Sequence, residues 1–172
     1  EYAAINDYND ILLIDDERTY ALIEKMIATM RKAFRSHKIH IGMDEAHMVG
    51  RGQYEDLHGA TATRQQLIIK HLKRVIGICE KYDFKPMMWS DMFFSLCFGG
   101  QYYPNDDAKL DVDALEGIPK NVRLVYWDYY HAEPKFYDRM IKMHRQIGNE
   151  ISFAGGAWTW SGFTGLNHVS EY

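Results

Sequence analysis

The sequence predicts an α/β fold in which helices alternate with the strands of a parallel sheet. Three segments show 3.6-residue apolar periodicity, and four short apolar runs lie between and after them. A carboxylate or a large aromatic stands at the end of each run. Alternation of this kind argues for right-handed βαβ units.

The first helix is expected over about 17–36, with Leu22, Ile23, Met26, Ile27, Met30 and Phe34 on one face and Asp15 or Asp16 as its cap. Ahead of it, ILLI at 11–14 reads as a strand remnant or as a loop packed on that helix. The second helix is expected over 63–82, where Leu67, Ile68, Leu72, Val75, Ile76 and Cys79 form the stripe and Thr63 with Gln66 has capping-box spacing. The third runs over 134–147, from Pro134 at N1 to Gly148 as its stop, and buries Phe136, Tyr137, Met140, Ile141 and Ile147. KIHIGM (38–43), KPMMWS (85–90), VRLVYW (122–127) and ISFAGGAW (151–158) read as buried strands. Residues 95–121, rich in Gly, Pro, Asn and Asp, read as a long βα loop, a length that is often functional. Four strands do not close a (β/α)8 barrel, which takes eight and about 250 residues. The chain is therefore an open sheet or part of a barrel.

Composition narrows the function classes. At 172 residues, 47% hydrophobic and 26% charged, the chain is one globular domain's worth. A formal charge of -4 with no sustained basic patch disfavours nucleic acid, and KHLKR at 70–74 reads as the solvated face of a helix. No apolar run reaches the roughly 18 residues of a membrane span, so no membrane partner is expected. The two cysteines suit a reducing, cytoplasmic setting, although the chain opens at EYAAINDY without an initiator Met and its true termini are expected to lie elsewhere.

The candidate site follows from the strand ends. The first ends in Gly42, Asp44 and Glu45, the second in Trp89 and Asp91, the third in Tyr126, Trp127 and Asp128, and the fourth in Trp158 and Trp160. In parallel α/β folds ligands bind at that edge. Rings that pack on the apolar faces of a pyranose, beside acids that bind hydroxyls, are what a sugar site requires. Plainer roles stand beside this one, since a single Trp can be core and Asp91 or Asp128 can cap the following helix. His37, His40, Asp44, Glu45 and His47 match no established metal spacing, so no metal or other cofactor is expected. A metal-dependent hydrolase is the weakest of the readings.

These residues resemble glycoside hydrolase family 20, the β-N-acetylhexosaminidases. HIGMDE (40–45) is similar to that family's His-x-Gly-x-Asp-Glu signature, MMWSD follows as a tryptophan strand end, and Tyr126-Trp127-Asp128 is similar to its Tyr-x-Asp element. The resemblance spans essentially the whole chain, is closest to compact bacterial members, and implies a partial (β/α)8 TIM barrel holding about strands four to seven, with 1–172 as a partial catalytic domain. Two family elements are not recognisable: an Arg that grips sugar hydroxyls, and a Trp-Gly-acid on the last strand.

The resemblance also implies a mechanism. A retaining glycosidase ordinarily sets two carboxylates about 5 to 5.5 Å apart across the ring, which adjacent residues cannot do. In this family the substrate's own 2-acetamido oxygen is the nucleophile and an oxazolinium ion the intermediate. Glu45 is then the general acid and base, and a negative neighbour favours its protonated form. Asp44 orients the acetamide N–H and offsets the developing positive charge. Tyr126 is expected to donate to the acetamido oxygen, with Trp89, Trp127 and Trp158 or Trp160 as walls. Asp91, Asp128 and His47 are candidates for hydroxyl contacts or for holding Glu45. The implied partner is a carbohydrate with a terminal N-acetylhexosamine. The implied activity is retaining exo-hydrolysis of β-GlcNAc or GalNAc, with the 172-residue chain alone expected to be inactive or very weak. An open half-barrel would expose apolar edges and favour self-association. The alternative is a non-catalytic carbohydrate-binding or regulatory module on the same scaffold.

Overall fold

The computed structural model describes residues 2–156. Its first strands, β1 (Asn6–Tyr8) and β2 (Ile11–Leu12), form an antiparallel hairpin, so the remnant anticipated at 11–14 is a strand for two residues. Leu13 and Ile14 then turn into the core. Helix α1 (Glu17–Ala33) follows, capped by Asp16, whose carboxylate accepts from the Arg18 N–H at 2.8 Å.

The main sheet contains β3 (Lys38–His40), β4 (Lys85–Trp89), β5 (Arg123–Asp128) and β6 (Ile151–Gly155), all parallel and ordered β3-β4-β5-β6. Helices α2 (Gln53–His58) and α3 (Arg64–Lys81) join β3 to β4, α4 (Asp91–Cys97) follows β4, and α5 (Pro134–Ile147) joins β5 to β6. Every crossover steps to the next neighbour in one direction. A doubly wound sheet would reverse at a switch point, whereas this progression is that of a (β/α)8 barrel wall. The fold is α/β and forms one arc of such a barrel.

The ends of α3 and α5 agree with the sequence because their signals are local, whereas α1, expected to about 36, ends at Ala33. Thr63 and Gln66 close the reciprocal capping box of α3, Pro134 opens α5, and Gly148 ends it in the left-handed region at φ 83°. Two helices were not predicted. The six residues of α2 are too few for a period, and the DMFFSLC of α4 has no polar face to mark one, since Asp91 through Ser95 are all buried. The connection from α4 to β5 is likewise packed rather than loose, with Tyr102, Leu110, Leu115 and Ile118 buried.

The sheet has two distinct faces. Met88 pairs in register with Leu124, and Tyr126 with Phe153, on the side that α3 and α5 cover. Alternate residues face the other way: His40, Met87 and Trp89, then Val125 and Trp127, then Ala154. The stripe predicted for α1 is split. Ile27 packs on Val75 and Cys79, but Met26, Met30 and Phe34 are exposed, at 55%, 42% and 59%. Beside them, a cavity of about 510 Å³ runs between α1 and β3 and is lined by Ile23, Met26, Met30, Ile39 and Ile41 among others. Among the described residues no strand pairs with the outer edge of β3, so that half of the stripe has nothing to pack on. No described helix is long and apolar enough to cross a membrane.

One polar group sits where the α5 stripe calls for an apolar one. His144 is fully buried, its Nδ1 2.7 Å from the Met140 carbonyl and its Nε2 2.8 Å from Ser90 Oγ. The carbonyl can only accept, so Nδ1–H donates to it and Nε2 accepts from the Ser90 hydroxyl. This Ser–His pair is not a nucleophilic dyad, because Ser90 is fully buried as well. Burial pushes the imidazole down from 6.5 to about 4, so the unfolded chain binds a proton between those values that the folded chain does not. Stability contributed at this site is therefore intact above pH 6.5 and lost as pH falls towards 4, by about 3 kcal/mol. His71, also pushed down to about 4 by burial, acts in the same direction. Urea unfolding at pH 7 and pH 4.5 should show this loss, and His144→Gln should flatten it.

Candidate active site

The turn after β3 carries the acidic pair, and its backbone is unusual. Gly42, Met43 and Glu45 have φ of 70°, 69° and 50°, so two side-chain-bearing residues sit in the left-handed region that ordinarily belongs to glycine. Such strain persists only where neighbours enforce it. Ile41 N–H donates to the Met87 carbonyl at 2.8 Å and Trp89 N–H to the Gly42 carbonyl at 3.1 Å, which carries the β3–β4 pairing up to the turn. The strand predicted over 38–43 ends at His40 because the chain then bends away. On the far side of the turn, the buried Asp7 carboxylate of β1 accepts from Gly50 N–H at 2.6 Å and Tyr54 N–H at 2.8 Å. The loop is thereby pinned at both ends, and Asp44 and Glu45 are exposed between the pins.

Glu45 is held by both its backbone groups. Its N–H donates to Asp91 Oδ2 at 2.9 Å, and its carbonyl accepts from His47 N–H at 2.7 Å, while the His47 side chain is exposed. Asp91 is 1% exposed, and burial pushes its carboxyl up to about 6. The Glu45 N–H and the Trp127 indole favour its anion, and the negative Asp44 opposes it. Although the indole lies that near, Asp91 Oδ1 makes no hydrogen bond among the described residues.

The aromatic wall is built from the same sheet edge. Trp89 is half-buried and lies 4.4 Å from the His40 ring, while Trp127 stacks on Tyr129 at 5.4 Å and packs on Tyr102 at 4.7 Å. Tyr103 donates its hydroxyl to the Trp127 carbonyl at 3.2 Å. Tyr126 faces the other way. It is 1% exposed, packs on His144 at 4.9 Å, and donates its hydroxyl to Asp128 Oδ2 at 2.8 Å. Burial, with Asp128 beside it, pushes its hydroxyl far above the ordinary phenol value. Asp128 is fully buried and also accepts from Tyr130 N–H at 2.9 Å and His131 N–H at 3.2 Å, with His131 Nδ1 2.9 Å from Oδ2. Trp158 and Trp160 lie outside the described residues.

The sequence matches the catalytic domain of glycosyl hydrolase family 20 over residues 2–138. The chain belongs to that family. Among solved structures it is similar to the family 20 β-N-acetylhexosaminidase of Streptomyces coelicolor A3(2), at 16% identity and a TM-score of 0.48 over 86% of this chain and 23% of that one. It is also similar to a mutant Streptomyces plicatus β-hexosaminidase in complex with the product GlcNAc, at 16% identity and a TM-score of 0.49 over 86% of this chain and 22% of that one. A third is the pneumococcal virulence factor StrH, at 15% identity and a TM-score of 0.47 over 91% and 35% of the two chains. This family 20 chain thus spans about a quarter to a third of their lengths. No curated protein matches it.

Within this family 20 domain the structure gathers Asp44, Glu45, Asp91, Trp89 and Trp127 at one strand-end edge, and turns Tyr126 and Asp128 towards α5. Parity sets Tyr126 apart from the acidic pair, because Trp127 shares the face of Trp89 and Tyr126 does not, and Tyr129, just past β5, stacks on Trp127. Tyr129, which the sequence reading missed, lies within the field of Asp44 and against the backbone of Gly156, where any Cβ would collide with its ring. The glycines of AGGAW were its signal, since a glycine at a strand end often marks a close approach. No group of three or more His, Cys, Asp or Glu side chains converges to hold a metal ion among the described residues.

Proposed function

We propose that this chain is the catalytic part of a retaining exo-β-N-acetylhexosaminidase that removes terminal β-linked N-acetylhexosamine with help from the substrate's acetamide. The observation that carries the reading is the exposed Asp44–Glu45 pair on a rigidly pinned turn at the C-terminal edge of a parallel sheet. Adjacent acids cannot sit on opposite faces of a sugar ring, but they can serve two different groups on the same side of one. In the first step the acetamido carbonyl oxygen attacks C1, the C1–O bond breaks, and Glu45 gives its proton to the departing oxygen. Asp44 accepts the acetamide N–H and offsets the positive charge of the oxazolinium ion. In the second step Glu45, now a carboxylate, takes a proton from water as that water adds to C1 and reopens the ring. Two inversions leave the β configuration retained.

Trp89, Trp127 and Tyr129 form the sugar-facing wall on this reading, and a Tyr129 hydroxyl on the groove face replaces Tyr126 as donor to the acetamido oxygen. Tyr126 and Asp128 serve instead as buried support for the β5–α5 turn. The described strands wall only one side of a pocket, so the 172-residue chain alone should turn over substrate weakly or not at all. The full-length enzyme should release N-acetylhexosamine from an aryl 2-acetamido-β-glycoside and leave the matching aryl β-glucoside nearly untouched. Comparable rates on the two would overturn the assignment.

A further inference from the structure

We infer that Asp91 is a positioning residue that locks the backbone of Glu45 from the end of the neighbouring strand. The inference rests on the proposed function only for its kinetic arm, since the geometry stands by itself. Glu45 has a φ of 50°, a conformation that costs a side-chain-bearing residue about 1–2 kcal/mol. Its N–H points across the sheet and finds Asp91 Oδ2 at 2.9 Å, from a residue 46 positions away in sequence. That acceptor is itself immobile. Ser90, the residue before it, donates its N–H to the Val125 carbonyl at 3.0 Å and anchors its hydroxyl on the buried His144. Rigid elements therefore hold the Glu45 position, between the two pinned ends of the turn, through this hydrogen bond.

Asp91 Oδ1 is buried without a hydrogen-bond partner among the described residues, a costly arrangement that a core would replace with an apolar side chain unless the carboxyl had a task. With the group pushed up to about 6, Oδ1 carries a proton in mildly acid solution, and Oδ2 accepts from Glu45 in either state. The titratable groups that face Asp91 are Asp44 on the catalytic turn and Tyr102 on the connection to β5, while β5 itself presents only the neutral Trp127.

The test uses the full-length enzyme with Asp91→Ala and Asp91→Asn. Loss of the acceptor in Asp91→Ala should lower kcat by about 10- to 100-fold with KM within about threefold, because the acid is misplaced rather than the sugar lost. Amide exchange of the segment 42–47 should rise by roughly tenfold. Asp91→Asn keeps an acceptor, so it should recover most of kcat and restore the protection. Because above about pH 6 it also removes a negative charge beside the pair, the basic limb of its kcat/KM pH profile should move to lower pH while the acid limb stays. A packing role alone would lower stability without moving that limb. Unchanged exchange at 42–47 in Asp91→Ala would overturn the inference whether or not the enzyme proves to be a hexosaminidase, and so would Asp91→Asn matching Asp91→Ala in kcat. If Asp91→Ala does not fold, the pH profile of Asp91→Asn decides alone: an unmoved basic limb counts against the inference. A wild-type enzyme inactive on 2-acetamido glycosides defeats the proposed function instead, and the exchange measurement then tests Asp91 by itself.

Discussion

Glu45→Gln in the full-length enzyme should lower kcat on an alkyl or glycan β-N-acetylhexosaminide by about 10²–10⁴-fold. An alkoxide is too basic to leave unprotonated, and Gln has no acidic proton to give. The loss should shrink sharply on a 2,4-dinitrophenyl glycoside, whose leaving group needs no proton. The remaining deficit on that substrate belongs to the second step, where a base is needed for water, and azide should relieve it by attacking without one. The turn should survive the change, because the hydrogen bonds that hold Glu45 come from its backbone N–H and carbonyl. A uniform loss across leaving groups would remove proton donation from the role of Glu45.

Asp44→Asn should cost about 10²–10³-fold in kcat/KM, and only on substrates that carry the 2-acetamido group. On the proposed mechanism the anion is needed twice there: it fixes the amide so that its oxygen reaches C1, and it faces the positive charge that grows as the ring closes. Asn can mimic the first contact through its carbonyl but not the second. A substrate without the acetamide offers neither group to Asp44, so its slow background turnover should change little. Equal losses on both substrates would mean that Asp44 supports the fold of the turn rather than the chemistry.

Much of this architecture was legible because its signals are short. Thr63 with Gln66, and Pro134 with Gly148, mark helix ends within a few residues, and the Val, Ile and Met runs mark strands. His144 was half visible, since it occupies a stripe position of α5 between Met140 and Ile147. What failed was orientation. VRLVYW is apolar at successive positions, and β5 buries both of its faces at Leu124, Val125 and Tyr126, so no alternation in the sequence told which of Tyr126 and Trp127 faces the groove. Only pairing with β4, which sets Trp89 against Val125, resolves it.

The role of Asp91 was one of several open readings for a different reason. Locally it is an acid at the start of a helix, where capping, sugar contact and holding Glu45 all read equally well. Its partner is the backbone N–H of Glu45 in the turn after another strand, and no residue near Asp91 in sequence singles that role out. The strained φ values of Met43 and Glu45 are equally silent in the letters HIGMDE, where only Gly42 announces a left-handed turn.

The central claim is that the substrate's acetamide, steered by Asp44, supplies the nucleophile. It is tested most directly by measuring kcat/KM of the full-length enzyme on aryl glycosides whose N-acyl group carries zero, one, two or three fluorines. Fluorine withdraws electrons from the carbonyl oxygen that attacks C1 while barely changing the size of the group. A steep, monotonic fall along the series is the expected result, with the trifluoro substrate slowest. A flat series would contradict it and return the nucleophilic role to an enzyme carboxylate or to water.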